Sequence, residues 1–209
     1  MKKYDLHTHT FYSSCSNTKP ESILKAAKKR GLNGIAVTDH NTIKGGQTVK
    51  RLNKNKDFEV IVGAEIYCDK AEILGYYLNE EIKPGKVEEV VEQIHSQGGI
   101  AVVSHPFTLA LIRKKIGFDL KKVKVDGIEV FNARNLFASE NERALELAKK
   151  NNLAQIGSSD AHFAYEVGRG YTLFEGEFRK AVKQRKTMAE GSLALIPVGR
   201  VLSFVRKVV

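Results

Sequence analysis

Cysteine is scarce in this chain: two residues in 209, Cys15 and Cys68, with no CxxC spacing. That excludes a disulfide-stapled scaffold and a cysteine-rich zinc module, and it fits a reducing compartment. Long apolar runs are missing too, since none approaches the roughly 18 residues that cross a bilayer. No apolar stretch follows the first lysines in MKKYDLHTHT, so a signal peptide is not expected and the cytoplasm is the expected location. Repeats, low-complexity tracts and linker composition are absent, and one domain over residues 1–209 is expected. Acid is in deficit: 34 Lys+Arg face 24 Asp+Glu, a formal charge of +10. Such a balance draws phosphorylated substrates and nucleic acid. Many of the lysines, however, sit in helical segments such as KAAKKR and LELAKK, where they form solvated faces.

Short apolar segments alternate with amphipathic ones. KYDLHTH, GIAVTDH, FEVIVGAEI, EILGYYL, IAVVSHP, VDGIEVFN, LAQIGSSDAH and GYTLF read as strands, with EILGYYL a candidate hairpin partner of FEVIVGAEI. PESILKAAKKRG reads as a helix with Pro20 near its start and Gly31 just past its end. Further helices are expected over residues 43–55, in PGKVEEVVEQIHSQGG with Val87, Val90, Val91 and Ile94 on one face, in NLFASENERALELAKKNN, and in GEFRKAVKQRK. Ser139 and Glu142 have capping-box spacing. The segment between IAVVSHP and VDGIEVFN is expected to be partly helical. Repeated strand-then-helix units imply parallel strands with helices outside, and sites at the C-terminal strand ends.

Five of the six histidines stand at such ends: His7 and His9 in DLHTHT, His40 in VTDHN, His105 in VVSHPF and His162 in GSSDAH. Asp39, Asp160 and Glu65 accompany them. Residues two apart on a strand share a face, so His7 and His9 point together, and Asp5 on that face is placed to orient one ring. Imidazoles and carboxylates in this mixture are ligands for zinc, iron or manganese. His95, inside a helical segment, reads as a surface or cap residue.

This ordered set, from DLHTH at residue 5 to GRGYTLF at residue 174, resembles the PHP (polymerase and histidinol phosphatase) family. The resemblance implies a distorted TIM-like (β/α)7 barrel that holds two to three divalent metal ions and hydrolyses a phosphate ester through a metal-activated hydroxide. Carried across, His7, His9, Glu65 and Asp160 hold one metal. Glu65 bridges to a second metal bound by His105, with Glu72 standing where relatives often have histidine. His40 and His162 hold the third. Many relatives place Asp or His where this chain has Ser14-Cys15, and Cys15 is the candidate replacement ligand, since a thiolate binds zinc and iron. Asp39 and His40 are candidate catalytic groups. Arg134 and Arg169 are candidates for neutralising charge on the phosphate, and Asn132 for contacting substrate or capping the following helix.

The expected activity is therefore phosphoesterase action on a nucleotide or small phosphorylated metabolite. The alternatives are a nuclease or exonuclease using the same site on RNA or DNA, a non-catalytic nucleic-acid-binding barrel, and last an amidohydrolase. The short span between SHP and GIEVFN leaves out the lid-like insertion of some nucleotide-phosphatase relatives, which suits an open mouth and longer substrates. No membrane partner is expected, and the sequence does not set the oligomeric state.

Overall fold

A computed structural model describes residues 1–108 and 118–193. The expectations of partial helix and of an open mouth before GIEVFN fall mainly on residues 109–117, outside the described residues. Among the described residues, nine strands form one sheet: β1 (Lys2–Asp5), β2 (Gly34–Val37), β3 (Glu59–Tyr67), β4 (Glu72–Tyr76), β5 (Ile100–Val103), β6 (Gly127–Asn132), β7 (Ala154–Ser158), β8 (Gly170–Phe174) and β9 (Thr187–Gly191). Their spatial order is β7-β6-β5-β4-β3-β2-β1-β8-β9. The helices are α1 (Pro20–Lys29), α2 (Lys44–Leu52), α3 (Val87–Ser96), α4 (Ala138–Lys150) and α5 (Phe178–Gln184).

The sheet curls into a nearly closed barrel. Across the gap, the Gln155 N–H donates to the Thr187 hydroxyl at 3.1 Å, and the Thr172 hydroxyl donates to the Gly157 carbonyl at 2.8 Å. Beyond the ends of β1 and β7, the His9 N–H donates to the Ala161 carbonyl at 2.8 Å, joining the two segments that carry the paired ligands. The distortion has a plain cause. β3 and β4 form the antiparallel hairpin anticipated for EILGYYL, and β4 runs antiparallel to β5 as well. β8 and β9 form a second antiparallel pair against β1; β9 follows α5 in a segment whose alternation the sequence reading did not resolve as a strand. The remaining pairs, β1–β2, β2–β3, β5–β6 and β6–β7, are parallel.

Helix faces follow the apolar spacing. Val87, Val90, Val91 and Ile94 of α3 are buried against Val62, Ile66, Ile73 and Val103 in the largest core cluster. α1 starts at Pro20, and Gly31 takes φ +68° just past its end, as its glycine suggested. The cap of α4 lies two residues earlier than expected: Glu140, not Glu142, reaches back to accept the Phe137 N–H at 2.9 Å. Among the described residues, no helix is long and apolar enough to cross a membrane.

Candidate metal centre

Asp160 and Asn41 occupy left-handed backbone (φ 53° and 56°), which Asp and Asn tolerate better than other side chains. Both sit at strand exits. Asn41 ties the neighbouring segment down, its N–H donating to the Glu65 carbonyl at 2.9 Å and its Oδ1 accepting the Tyr67 N–H at 2.9 Å.

The buried side chains then converge. His7 Nε2 lies 3.0 Å from His9 Nε2, 3.2 Å from Glu65 Oε2 and 3.7 Å from Asp160 Oδ1. His9 Nε2 lies 3.5 Å from the same Glu65 oxygen and 3.3 Å from Asp160 Oδ1. Four ligands about 2.0–2.1 Å from a central cation are separated by about 3.3 Å when tetrahedral. Five of the six edges thus match a cation-sized centre. A second group lies on the other carboxylate oxygen: His105 Nε2 is 2.9 Å from Glu65 Oε1 and 3.3 Å from Glu72 Oε2. Glu65 belongs to both groups, the arrangement of a bridging ligand. His40 Nδ1 approaches Glu65 Oε2 at 3.1 Å.

The third site differs from its expected form. Cys15 and His40 group with His9, while His162 groups with Asp160 and His9. The rings of His40 and His162 lie 4.7 and 4.5 Å from the His9 ring, so His9 stands between them. Cys15 is buried. If its thiolate joins a metal, Co(II)-loaded protein will show a sulfur-to-cobalt charge-transfer band in the near ultraviolet that Cys15→Ser lacks; an unchanged spectrum in the variant removes Cys15 from the ligands.

The electrostatics suit cations. Burial disfavours a charged His7 ring, yet the carboxylates of Glu65, Asp160 and Glu129 together hold its pKa well above the usual range. Burial raises the Glu65 carboxyl, but the charges of His7 and His40 outweigh it and hold the pKa well below its ordinary value. These carboxylates create the negative field that a metal would satisfy. His162 is pushed the opposite way, by burial and by the positive fields of Arg134 and His9, which keeps its ring neutral and its lone pair available.

Three expected roles change. Asp39 joins none of the ligand groups: its oxygens accept the Thr10 N–H and hydroxyl, each at 2.7 Å, and the Ser13 hydroxyl at 2.8 Å. Ser13 Oγ in turn lies 3.3 Å from His9 Nδ1, so Asp39 positions the His9 loop rather than facing substrate. It is packed tightly there, since a Cβ on Gly45 at the start of α2 would stand 1.8 Å from its Oδ2. Asn132 is wholly buried and donates from Nδ2 to Glu129 at 3.1 Å and to Asp160 at 3.2 Å, which leaves it neither substrate contact nor helix cap. Asp5 orients no ring; its oxygens accept the N–H groups of Ser159 at 3.0 Å and Gly168 at 2.8 Å. Burial leads the effects on its carboxyl and lifts the pKa to about 6.

The residue that does orient His7 is Glu129, which sequence reasoning missed. Its Oε1 lies 2.9 Å from His7 Nδ1 and accepts a very short hydrogen bond from Ser158, and its Oε2 accepts the His105 N–H at 2.7 Å. A bulge between Glu129 and Phe131 explains how Glu129 and Asn132, three apart, meet on one face of a strand. The available signal was an acid embedded in the apolar run GIEVFN.

Both arginines lie near this end of the barrel. Arg134 Nη1 donates to both oxygens of Glu166 at 3.1 Å, and Glu166 also accepts the His162 N–H at 2.8 Å. The Arg169 N–H donates to the Glu166 carbonyl at 3.1 Å, and its buried Nε has no hydrogen-bond partner among the described residues. His95 lies outside the centre, 2.9 Å from Asp126 Oδ2.

Comparison with known proteins agrees with this geometry. A family model described as PHP-associated matches residues 138–187. The uncharacterized protein MJ1587 of Methanocaldococcus jannaschii is 44% identical over 142 residues, covering 63% of this chain and 82% of that protein. Among solved structures, a two-domain protein of Bacteroides vulgatus containing a predicted PHP-like metal-dependent phosphoesterase superposes with TM-score 0.76 at 20% identity, over 98% of this chain and 69% of that one. The lesion-specific endonuclease PfuEndoQ of Pyrococcus furiosus superposes with TM-score 0.66 at 20% identity, over 88% of this chain and 56% of that one. The matched model supports the PHP domain family, and the superposition on the Bacteroides vulgatus protein shows that the chain has the TIM-like barrel fold of that neighbour.

Proposed function

We propose that this protein is a metal-dependent phosphoric ester hydrolase that uses two to three divalent ions, zinc, manganese or iron, on a nucleotide or small phosphorylated metabolite. The observation that carries the reading is Glu65, whose two oxygens each face a separate histidine-carboxylate group. His7, His9, Glu65 and Asp160 would hold one ion, and Glu65, Glu72 and His105 a second. A third would sit at His9 with His40 and Cys15, or at His9 with Asp160 and His162. Ions so placed polarise phosphoryl oxygens and make a water more acidic.

The chain's own groups do the rest. Glu129 fixes the His7 ring, and Asn132 ties Glu129 to Asp160, so these carboxylates keep their places while charge builds on the phosphate. Arg169, and Arg134 beside Glu166, supply positive charge near His162; His40, the most open of the clustered histidines, would exchange protons with the leaving side only where it does not ligate the third ion. A nuclease reading is favoured by the charge of +10 and uses the same groups.

The test is a panel of phosphate esters, mononucleotides and oligonucleotides on wild type and His7→Ala. We expect phosphate release by wild type and its loss, by about a thousandfold or more, in the variant. Full activity in His7→Ala refutes the site.

A further inference from the structure

The strand exits carry more ring surface than metal binding needs. Phe11 (49% exposed) and Tyr12 (37%) follow His9 by two and three residues, with ring centroids 4.6 Å apart. Tyr165 (55% exposed) follows His162 by three residues and stacks on Phe163 at 5.5 Å, with planes 14° apart. Side-chain hydroxyls of the first loop hold the second. The Ser16 and Thr18 hydroxyls both donate to the His162 carbonyl at 2.8 Å, and the Phe11 N–H donates to the Thr18 carbonyl at 3.0 Å. Single exposed rings are ordinary, but two stacked pairs within three residues of buried ligand histidines call for an occupant.

Charge narrows that occupant. Burial and the Glu166 carboxylate raise the Tyr165 hydroxyl, and the guanidinium groups of Arg134 and Arg169 oppose them, so both arginines stand within electrostatic reach of that ring pair. Tyr12 Oη lies 3.4 Å from Thr48 Oγ1 on α2, and Arg51 donates to the same hydroxyl at 3.2 Å. A sugar phosphate uses the cations and the ligand histidines but offers the rings only C–H edges, whereas a base offers a full π-face. A ligand with a phosphate at the metal groups and a flat ring turned toward these two loops uses all three.

We propose that Phe11–Tyr12 and Phe163–Tyr165 form a stacking platform for the base of a nucleoside-bearing phosphate ester. This rests on the phosphoesterase reading and names its substrate class. Every base has a π-face, so the platform accepts different bases, and the aromatic faces are interchangeable with one another but not with alanine.

The experiment compares Phe11→Ala, Tyr165→Ala and Tyr165→Phe with wild type, each checked for metal content and melting temperature. Substrates are a nucleoside 5′-monophosphate, a single-stranded tetranucleotide and ribose 5-phosphate. We expect each alanine variant to lower the ratio of kcat/KM on nucleotide to kcat/KM on ribose 5-phosphate by about 5- to 50-fold, through KM, with Tyr165→Phe restoring it. Of the mononucleotide and the tetranucleotide, the one with the lower KM identifies the source of the base. An unchanged ratio in both alanine variants overturns the platform. Calorimetric binding of the monophosphate separates the two claims: binding that Tyr165→Ala weakens, with no hydrolysis of any substrate, keeps the platform and refutes the hydrolase. Hydrolysis of ribose 5-phosphate with no preference for nucleotides does the reverse.

Discussion

Glu65→Gln is expected to leave at most one metal ion per chain and to slow phosphate release by at least about a thousandfold, close to 4 kcal/mol of transition-state stabilisation. The change is nearly isosteric, so packing within β3 is kept. What it removes is the negative charge facing His7, His9 and His40 on one side and His105 on the other. An amide cannot bridge two cations as a carboxylate does, and its N–H group would point at one of them. Both ion groups therefore fail together, whereas loss of Glu72 would touch one of them alone. Metal analysis and initial rates on the same preparation check this. A variant that retains its ions and stays within about threefold of wild-type rate would show that Glu65 is not the bridge.

Heat should reveal the same centre without a substrate. Asp5, Glu65, Glu72, Glu129 and Asp160 are all buried around the histidines, an arrangement that is costly unless cations or charged rings offset it. Binding at a free metal concentration a thousandfold above the dissociation constant stabilises a fold by about 4 kcal/mol per site. For a chain of this size that corresponds to about 8–16 °C in Tm. Stripping the protein with a chelator should lower Tm by that much or more, and zinc or manganese should restore it. A chelator-insensitive Tm would mean that the buried carboxylates are satisfied without metal.

The sequence made the ligand histidines legible because each stands where an apolar strand ends, and strand-end chemistry is local. HxH and DxH spacing placed His7 with His9 and Asp160 with His162, and the structure brings all four together. The supporting residues were less legible, since their roles depend on contacts far along the chain. Glu129 meets His7 across 122 residues, and Ser159 meets Asp5 across 154. Asn132 reaches the same side as Glu129 through a bulge that no alternation pattern announces. Asp39, adjacent to His40 in sequence, shows the opposite error: proximity to a ligand suggested chemistry, while its oxygens are committed to Thr10 and Ser13. β9 escaped notice because TMAEG shows no clear alternation, and only pairing with β8 makes it a strand.

Elemental analysis of wild-type protein, purified without chelator and without added metal, tests the central claim most directly. The geometry around Glu65 predicts between two and three zinc, manganese or iron ions per chain. Protein that is folded, carries none of these and takes none up on dialysis against them would contradict the metal centre and every hydrolytic reading built on it.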